Sequence, residues 1–264
     1  MSMYDIILAK FALIMKKLAQ VNASEQKVYN AGYEKGKAEG GYEQGVADGK
    51  QAEYDAFWDA YQLNGSRISY QYAFGNISWN DTTFKPKYDL VLGAGYSGTN
   101  MFANCTITDL TATLERQGVV LDTSQGGYLA SMFQGAKCTR VPTLNLSQSH
   151  TYGNSLNMLF YNSTVQTIDK LIITEKTVFV NASFQGCANL ENVTFEGVLG
   201  QNGLNLQWST KLSKASIISV INALSTTTSG LSVTFSKTAK ETAFTADEWA
   251  ALIATKPNWT INLV

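Results

Sequence analysis

Proline and histidine are almost missing from this chain: Pro86, Pro142 and Pro257 are the only prolines, and His150 the only histidine, in 264 residues. One histidine and three cysteines, with no Cys-x-x-Cys spacing, leave too few ligands for a zinc site, and no other metal or cofactor is expected. Charge is also scarce. Charged residues make up 16% against about 25% in a typical globular chain. The 20 basic and 21 acidic residues leave a net charge of −1. Nothing there gives the positive footprint that nucleic acid or an anionic membrane requires. No apolar run reaches the ~18 residues needed to span a bilayer, so membrane insertion is not expected. The start, Met1-Ser2-Met3-Tyr4-Asp5, lacks the basic beginning of a signal peptide, and Lys10 interrupts the apolar run after it, so export by that route is not expected.

What the chain has instead is repetition. Asn157-Met158-Leu159-Phe160, Asn181-Ala182-Ser183-Phe184 and Asn205-Leu206-Gln207-Trp208 all read Asn-x-x-aromatic, and consecutive copies lie 24 residues apart. Met101-Phe102 and Met132-Phe133 extend the series backwards at steps of 31 and 27. A step of this size predicts a solenoid, whose units bury their apolar edges against one another. Phe102, Phe133, Phe160, Phe184 and Trp208 are then expected inside as a stack, and Asn157, Asn181 and Asn205 as a hydrogen-bonded amide ladder. Cys105 and Cys187 each stand three residues after a repeat phenylalanine, where other units carry Ala136 and Ser163. A slot that takes Cys, Ala or Ser is a small packing slot, and its cysteines act as compact apolar residues.

The N-terminal part has a different rhythm. Tyr4, Ile7, Phe11, Ile14, Leu18, Val21 and Val28 form an a/d heptad seam, the pattern of helices winding around one another. Self-association through this seam is one reading, with a trimer as the leading guess. An amphipathic helix packed on its own domain is the other, since Ile6 and Leu13 widen the stripe. Residues 29–50 hold a nine-residue repeat, Gly32-Tyr33-Glu34-Lys35-Gly36 and Gly41-Tyr42-Glu43-Gln44-Gly45. Each glycine costs a helix up to about 1 kcal/mol relative to alanine, so a helix with two smooth faces and a flexible linker stay equally open. Tyr54, Phe57, Trp58 and Tyr61 then form an aromatic helical stripe. The organisation expected is a helical oligomerisation or anchoring region over 1–61, an irregular connection over 62–95, and the repeats over 96–264. Near the C-terminus a helix is expected around 213–224, then a strand at Leu231–Phe235, a helix opened by the capping box Thr245-x-x-Glu248, and a last strand from Trp259. Strand–helix–strand–helix–strand implies parallel strands with right-handed crossovers. The fold class expected is therefore α+β: an N-terminal coiled coil, a leucine-rich-repeat-like β-solenoid, and a βαβαβ end.

Phe184-Gln185-Gly186-Cys187-Ala188-Asn189-Leu190-Glu191-Asn192-Val193-Thr194-Phe195 resembles the core of BspA-like leucine-rich repeats, which belong to bacterial surface adhesins. The other units are one residue shorter at the turn and lack the leucine. The Gly-Tyr-Glu-x-Gly stretch, the run Ala52-Glu53-Tyr54-Asp55-Ala56-Phe57-Trp58, Thr83-Phe84-Lys85-Pro86-Lys87-Tyr88 and the run from Gly200 to Leu212 are similar to structural proteins of phages of gut Firmicutes. That resemblance implies an N-terminal region anchored to the particle, in company with other virion proteins, and repeats facing outward.

No catalytic constellation is legible, and no enzyme activity is expected. His150 has no Gly-x-Ser-x-Gly elbow to serve. Gly93-x-Gly95-x-x-Gly98 fits the dinucleotide spacing but has no expected helix after it. Acidic residues are scattered rather than paired. The expected function is a virion tail, baseplate or fibre-like protein that recognises a host-surface glycan or protein. The alternatives are a cell-surface adhesin, which moves the location from virion to bacterial surface, and a purely structural decoration protein of the virion. Aromatic rings next to amides and hydroxyls suit sugars, offering an apolar face and hydrogen bonds together. Tyr128, Tyr152 and Tyr161, which lie off the repeat phase, are the candidate ligand contacts.

Overall fold

The computed structural model describes residues 73–75, 79–86, 88–93, 97–149 and 153–264. The chain divides into two units at Ser66/Arg67, and all described residues belong to the second. The heptad residues Tyr4, Ile7, Phe11, Ile14, Leu18, Val21 and Val28 therefore lie outside them, as do the Gly-rich segment, the Tyr54–Tyr61 stripe, His150 and Tyr152.

A column of rings forms the core. Phe102, Phe133, Phe160 and Phe184 are fully buried, with successive ring centroids 5.4, 5.3 and 5.5 Å apart and planes 6°, 9° and 23° from parallel. Stacked rings at this distance add about 0.5–1.5 kcal/mol per pair beyond their burial. Phe74 and Phe84 close the column at its start, 5.3 and 6.0 Å from Phe102. At the other end Phe179 leans on Phe184 at 5.7 Å. Trp208, expected as the fifth ring, is only half-buried and does not join.

Backbone bonds between successive passes of the chain hold the column in register. The amides of Phe74, Phe102, Phe133 and Phe160 donate to the carbonyls of Met101, Met132, Leu159 and Ser183, at 2.8–2.9 Å. Tight turns shape each pass, and two residues after each ring the backbone enters the left-handed region: Asn104 (φ 56°), Gly135 (64°), Asn162 (54°) and Gly186 (78°). Asparagine and glycine are the residues that tolerate this conformation. Their alternation has a steric reason as well. A Cβ on Gly135 would sit 2.1 Å from Asn104 Oδ1, and one on Gly186 would sit 2.0 Å from Asn162 Oδ1. Each asparagine side chain rests on the bare backbone of the next pass.

Facing the rings is an aliphatic wall from short strands. β1 (Leu90–Val91) pairs with β2 (Leu121–Asp122). β3 (Arg140–Val141) and β4 (Leu144–Asn145) both pair with β5 (Thr167–Ile173), which pairs on its other side with β6 (Asn192–Gly197). The register aligns Val141, Ile168 and Val193 in one inward row and Leu144, Leu171 and Phe195 in another, all buried. β7 (Asn205–Leu206), β8 (Leu231–Phe235) and β9 (Trp259–Leu263) form the last sheet, and every pairing is parallel.

The expected single β-solenoid is not what forms. The strands fall into separate sheets of two, four and three, and the described residues are α+β, with four α-helices among these small parallel sheets. Helices interrupt the pairing. α1 (Leu110–Gln117) occupies the pass before β3, capped by Asp109, whose carboxylate accepts the Ala112 amide, and closed by Gly118 at φ 66°. Asp81 fastens α1: its Oδ1 accepts the amides of Thr108 and Asp109, both at 3.0 Å, and the Thr113 hydroxyl at 3.2 Å. Burial works to raise its pKa, but the bonds from Asp109, Thr108 and Thr113 outweigh that and hold the carboxyl below its ordinary value.

α2 (Lys214–Ala223) makes the second break. It lies along β6, and its serines take the place of a strand. Ser216 Oγ accepts the Val193 amide at 2.9 Å, and Ser219 Oγ accepts the Phe195 amide at 2.8 Å. With its outer N–H groups satisfied by hydroxyls, β6 has no use for a fifth strand beside it, and the four-stranded sheet ends there. At the far end of α2, Lys256 Nζ donates to the Asn222 and Leu224 carbonyls, and Trp259 Nε1 to Ser225 at 2.9 Å. Between β8 and β9 the chain forms two helices, α3 (Lys237–Ala243) and α4 (Ala246–Ile253), the second opened by the Thr245/Glu248 capping box.

The asparagine ladder is not seen at Asn205, and the Asn181 side chain lies outside the described residues. Asn205 Oδ1 accepts the amide of Gln207 in a local turn, and Asn157 is half-buried. Buried serines provide the side-chain links instead: Ser183 Oγ donates to Leu156 across passes at 2.9 Å and accepts the Val180 amide at 3.0 Å.

Candidate recognition surface

The turn bonds give Tyr161 its place, while Tyr152 lies outside the described residues. The Asn104, Gly135 and Asn162 amides donate to the carbonyls of Gln134, Tyr161 and Gln185, each at 2.8 Å. Gln134, Tyr161 and Gln185 therefore share one register position, the residue after the buried ring, on three successive passes. All three are half-buried, and Asn104 and Asn162 beside them are exposed. A phenol ring between two primary amides offers an apolar face flanked by donors and acceptors, the combination that suits a sugar. The backbone beneath it is bonded on both sides, so the spacing is fixed before any ligand arrives. Gln134 and Gln185 were not singled out from the sequence. Their signal is there: both follow a repeat phenylalanine directly, as Tyr161 does.

Tyr128 stands elsewhere. It bridges Ser97, with the Gly98 amide donating to its carbonyl at 2.9 Å. It lies five residues before Phe133, at a different register position from Tyr161, so the structure does not bring the two together.

A second exposed feature crosses α1, β3, β5 and β6. Arg140 Nε donates to Asp169 Oδ1 at 2.7 Å, and the Thr111 hydroxyl to Asp169 Oδ2 at 3.0 Å. Lys170 Nζ donates to Glu196 Oε2 at 2.5 Å. The Asp169 hydrogen bond raises the Arg140 guanidinium pKa. Both cations of this strip are therefore already paired with a carboxylate of the same chain. A groove of about 390 Å³ between β6 and α2 is lined by Phe195, Gly197, Ile218, Ser219 and Asn222, and its one hydroxyl serves the Phe195 amide.

The packing slot holds Cys105, Ala136, Ser163 and Cys187, all buried. Burial pushes the Cys187 thiol up to about 11. Among the described residues no group of three or more His, Cys, Asp and Glu is placed to hold a metal ion, and no helix is long and apolar enough to cross a membrane.

Comparison with protein-family models, curated proteins and solved structures finds no match for this chain.

Proposed function

We propose that this chain is a structural protein of a phage virion, at the tail or baseplate, that presents the unit from Arg67 onwards for recognition of a host-surface glycan. The observation that carries this reading is the Gln134–Tyr161–Gln185 column, held at fixed spacing over the buried rings. The similarity of several sequence runs to phage structural proteins supplies the setting. In this account residues 4–28 join copies of the chain, with three as the leading number, and contact neighbouring virion proteins. Several copies of a weak sugar site on one particle gain avidity, because the second engagement occurs at high local concentration.

A purely structural role in the virion is the second reading. It is favoured by the charged strip, whose groups are satisfied within the chain, and by the separation of Tyr128 from Tyr161. One experiment separates these from the adhesin alternative. Purified particles and host cell-wall fractions are probed with antibody against the full-length protein, and particles are then tested for adsorption with wild-type chain or Tyr161→Ala. Particle labelling with adsorption lost in Tyr161→Ala supports recognition. Particle labelling with adsorption unchanged supports decoration. Labelling of the wall fraction alone overturns the virion assignment.

A further inference from the structure

Two of the three cysteines meet inside the core on neighbouring passes of the chain. Cys105 Sγ and Cys138 Sγ are 3.4 Å apart, although 33 residues separate them in sequence. Both are buried, at 0% and 1% exposure. The backbone holds them together: the Lys137 amide donates to the Cys105 carbonyl at 2.8 Å, and the Thr139 amide to Thr108 at 2.6 Å. Cys187 has other partners, with its thiol donating to the Phe160 carbonyl at 2.9 Å and lying 3.6 Å from Ser163 Oγ. Packing alone explains Cys105, whose slot takes Ala136 in the next unit. It does not explain a second thiol pointed at the first.

We propose that Cys105 and Cys138 are a disulfide-forming pair that closes under oxidation by a peroxide and ties two successive passes of the core together. A disulfide has its sulfurs about 2.05 Å apart, and side-chain rotation on two backbones already hydrogen-bonded to each other covers the difference. The thiolate is the reactive form, and Cys105 is the one poised to supply it. The Cys138 S–H donates to it and lowers its pKa, and the same hydrogen bond, with burial, raises that of Cys138. Cys105, having released its proton, attacks one peroxide oxygen and the O–O bond breaks, giving a sulfenic acid and a hydroxide that takes up the released proton to become the first water. Cys138 then attacks the sulfenic sulfur, the S–O bond breaks, and its proton leaves with the departing hydroxide as water. Two thiols and one hydrogen peroxide become one disulfide and two waters.

The test is thiol counting on the full-length protein. Folded protein is treated with hydrogen peroxide, unfolded in denaturant with N-ethylmaleimide, and weighed by mass spectrometry. The reduced chain takes three adducts. The proposal expects one adduct after oxidation, on Cys187, in a chain two hydrogens lighter, with tryptic peptides containing Cys105 and Cys138 joined. Cys105→Ala, which places in the slot the residue found at Ala136, should keep both remaining thiols. Three adducts after oxidation, a bond to Cys187, a bond between chains, or overoxidised Cys105 with Cys138 still free would each overturn it.

Discussion

Ser183 and Ser209 are both buried, and their hydroxyls have opposite situations. Ser183 Oγ bonds Leu156 on the neighbouring pass and accepts the Val180 amide, whereas Ser209 Oγ is buried without a hydrogen-bond partner. Removing a hydroxyl that satisfies other buried groups costs about 1–3 kcal/mol, and removing an unsatisfied one costs little or stabilises. Urea unfolding should therefore show Ser183→Ala clearly destabilised and Ser209→Ala equal to or above wild type. Equal losses in both would mean that volume, not hydrogen bonding, sets these positions. Cys187 gives a pH dependence. Its thiol ionises at about 11 when folded, against 9.0 when free. Between those values the unfolded chain has released a proton that the folded chain keeps, so stability falls as pH rises from about 9 to about 11. The loss is about 2–3 kcal/mol at most, and below pH 9 this group contributes no slope. Denaturation at pH 8, 9 and 10.5 checks it. Cys187→Ala should lose stability less steeply over that range, and an unchanged slope would contradict the assignment. At this scale the sequence was informative. The small slot at Cys105, Ala136, Ser163 and Cys187 and the rings from Phe102 to Phe184 were legible because chemically similar residues recur at similar steps. Cys138 was not, because it lies off that phase.

The elements were harder to read, for a physical reason. Most strands here are two residues long, and periodicity needs more residues than that to speak. The regular 24-residue step suggested a uninterrupted series, yet helices α1 and α2 break the pairing into three sheets. Each break carries a mark in the sequence. Asp109 and Gly118 bracket α1 as N-cap and C-terminal glycine. Ser213, Ser216 and Ser219 step by three along α2, the first as its N-cap and the other two as acceptors for β6. Such a stripe reads as a polar helix face until its strand partner is known. The amides of Val193 and Phe195 depend on it. In Ser216→Ala/Ser219→Ala those two N–H groups lose their partners, at about 1–3 kcal/mol each. Hydrogen exchange should speed up at Val193 and Phe195 before it changes at Phe133. Uniform acceleration over the whole unit would contradict a local edge-capping role. Trp208 stays outside the ring column, and there Asn205 Oδ1 accepts the Gln207 amide, so the Asn-x-x-aromatic pattern at that point accompanies a local turn.

For the whole molecule, the features that keep the unit folded and those proposed to recognise a host are carried by neighbouring residues. Phe133, Phe160 and Phe184 point inward and stack, while the residues directly after them, Gln134, Tyr161 and Gln185, form the outward column. Function was less legible than architecture because a phenol between two amides is assembled from three passes, and no local motif records it. Tyr161→Ala should leave unfolding within about 1 kcal/mol of wild type, as expected for a half-exposed side chain, while Tyr128→Ala should leave binding unchanged. The most direct measurement is saturable binding of the labelled full-length protein to host cells, made with wild type and Tyr161→Ala and repeated with the host's surface glycan stripped. The account predicts saturable binding by wild type, its loss in Tyr161→Ala and its loss on stripped cells. Saturable binding that persists in Tyr161→Ala, or no binding by the wild-type protein at all, would contradict it.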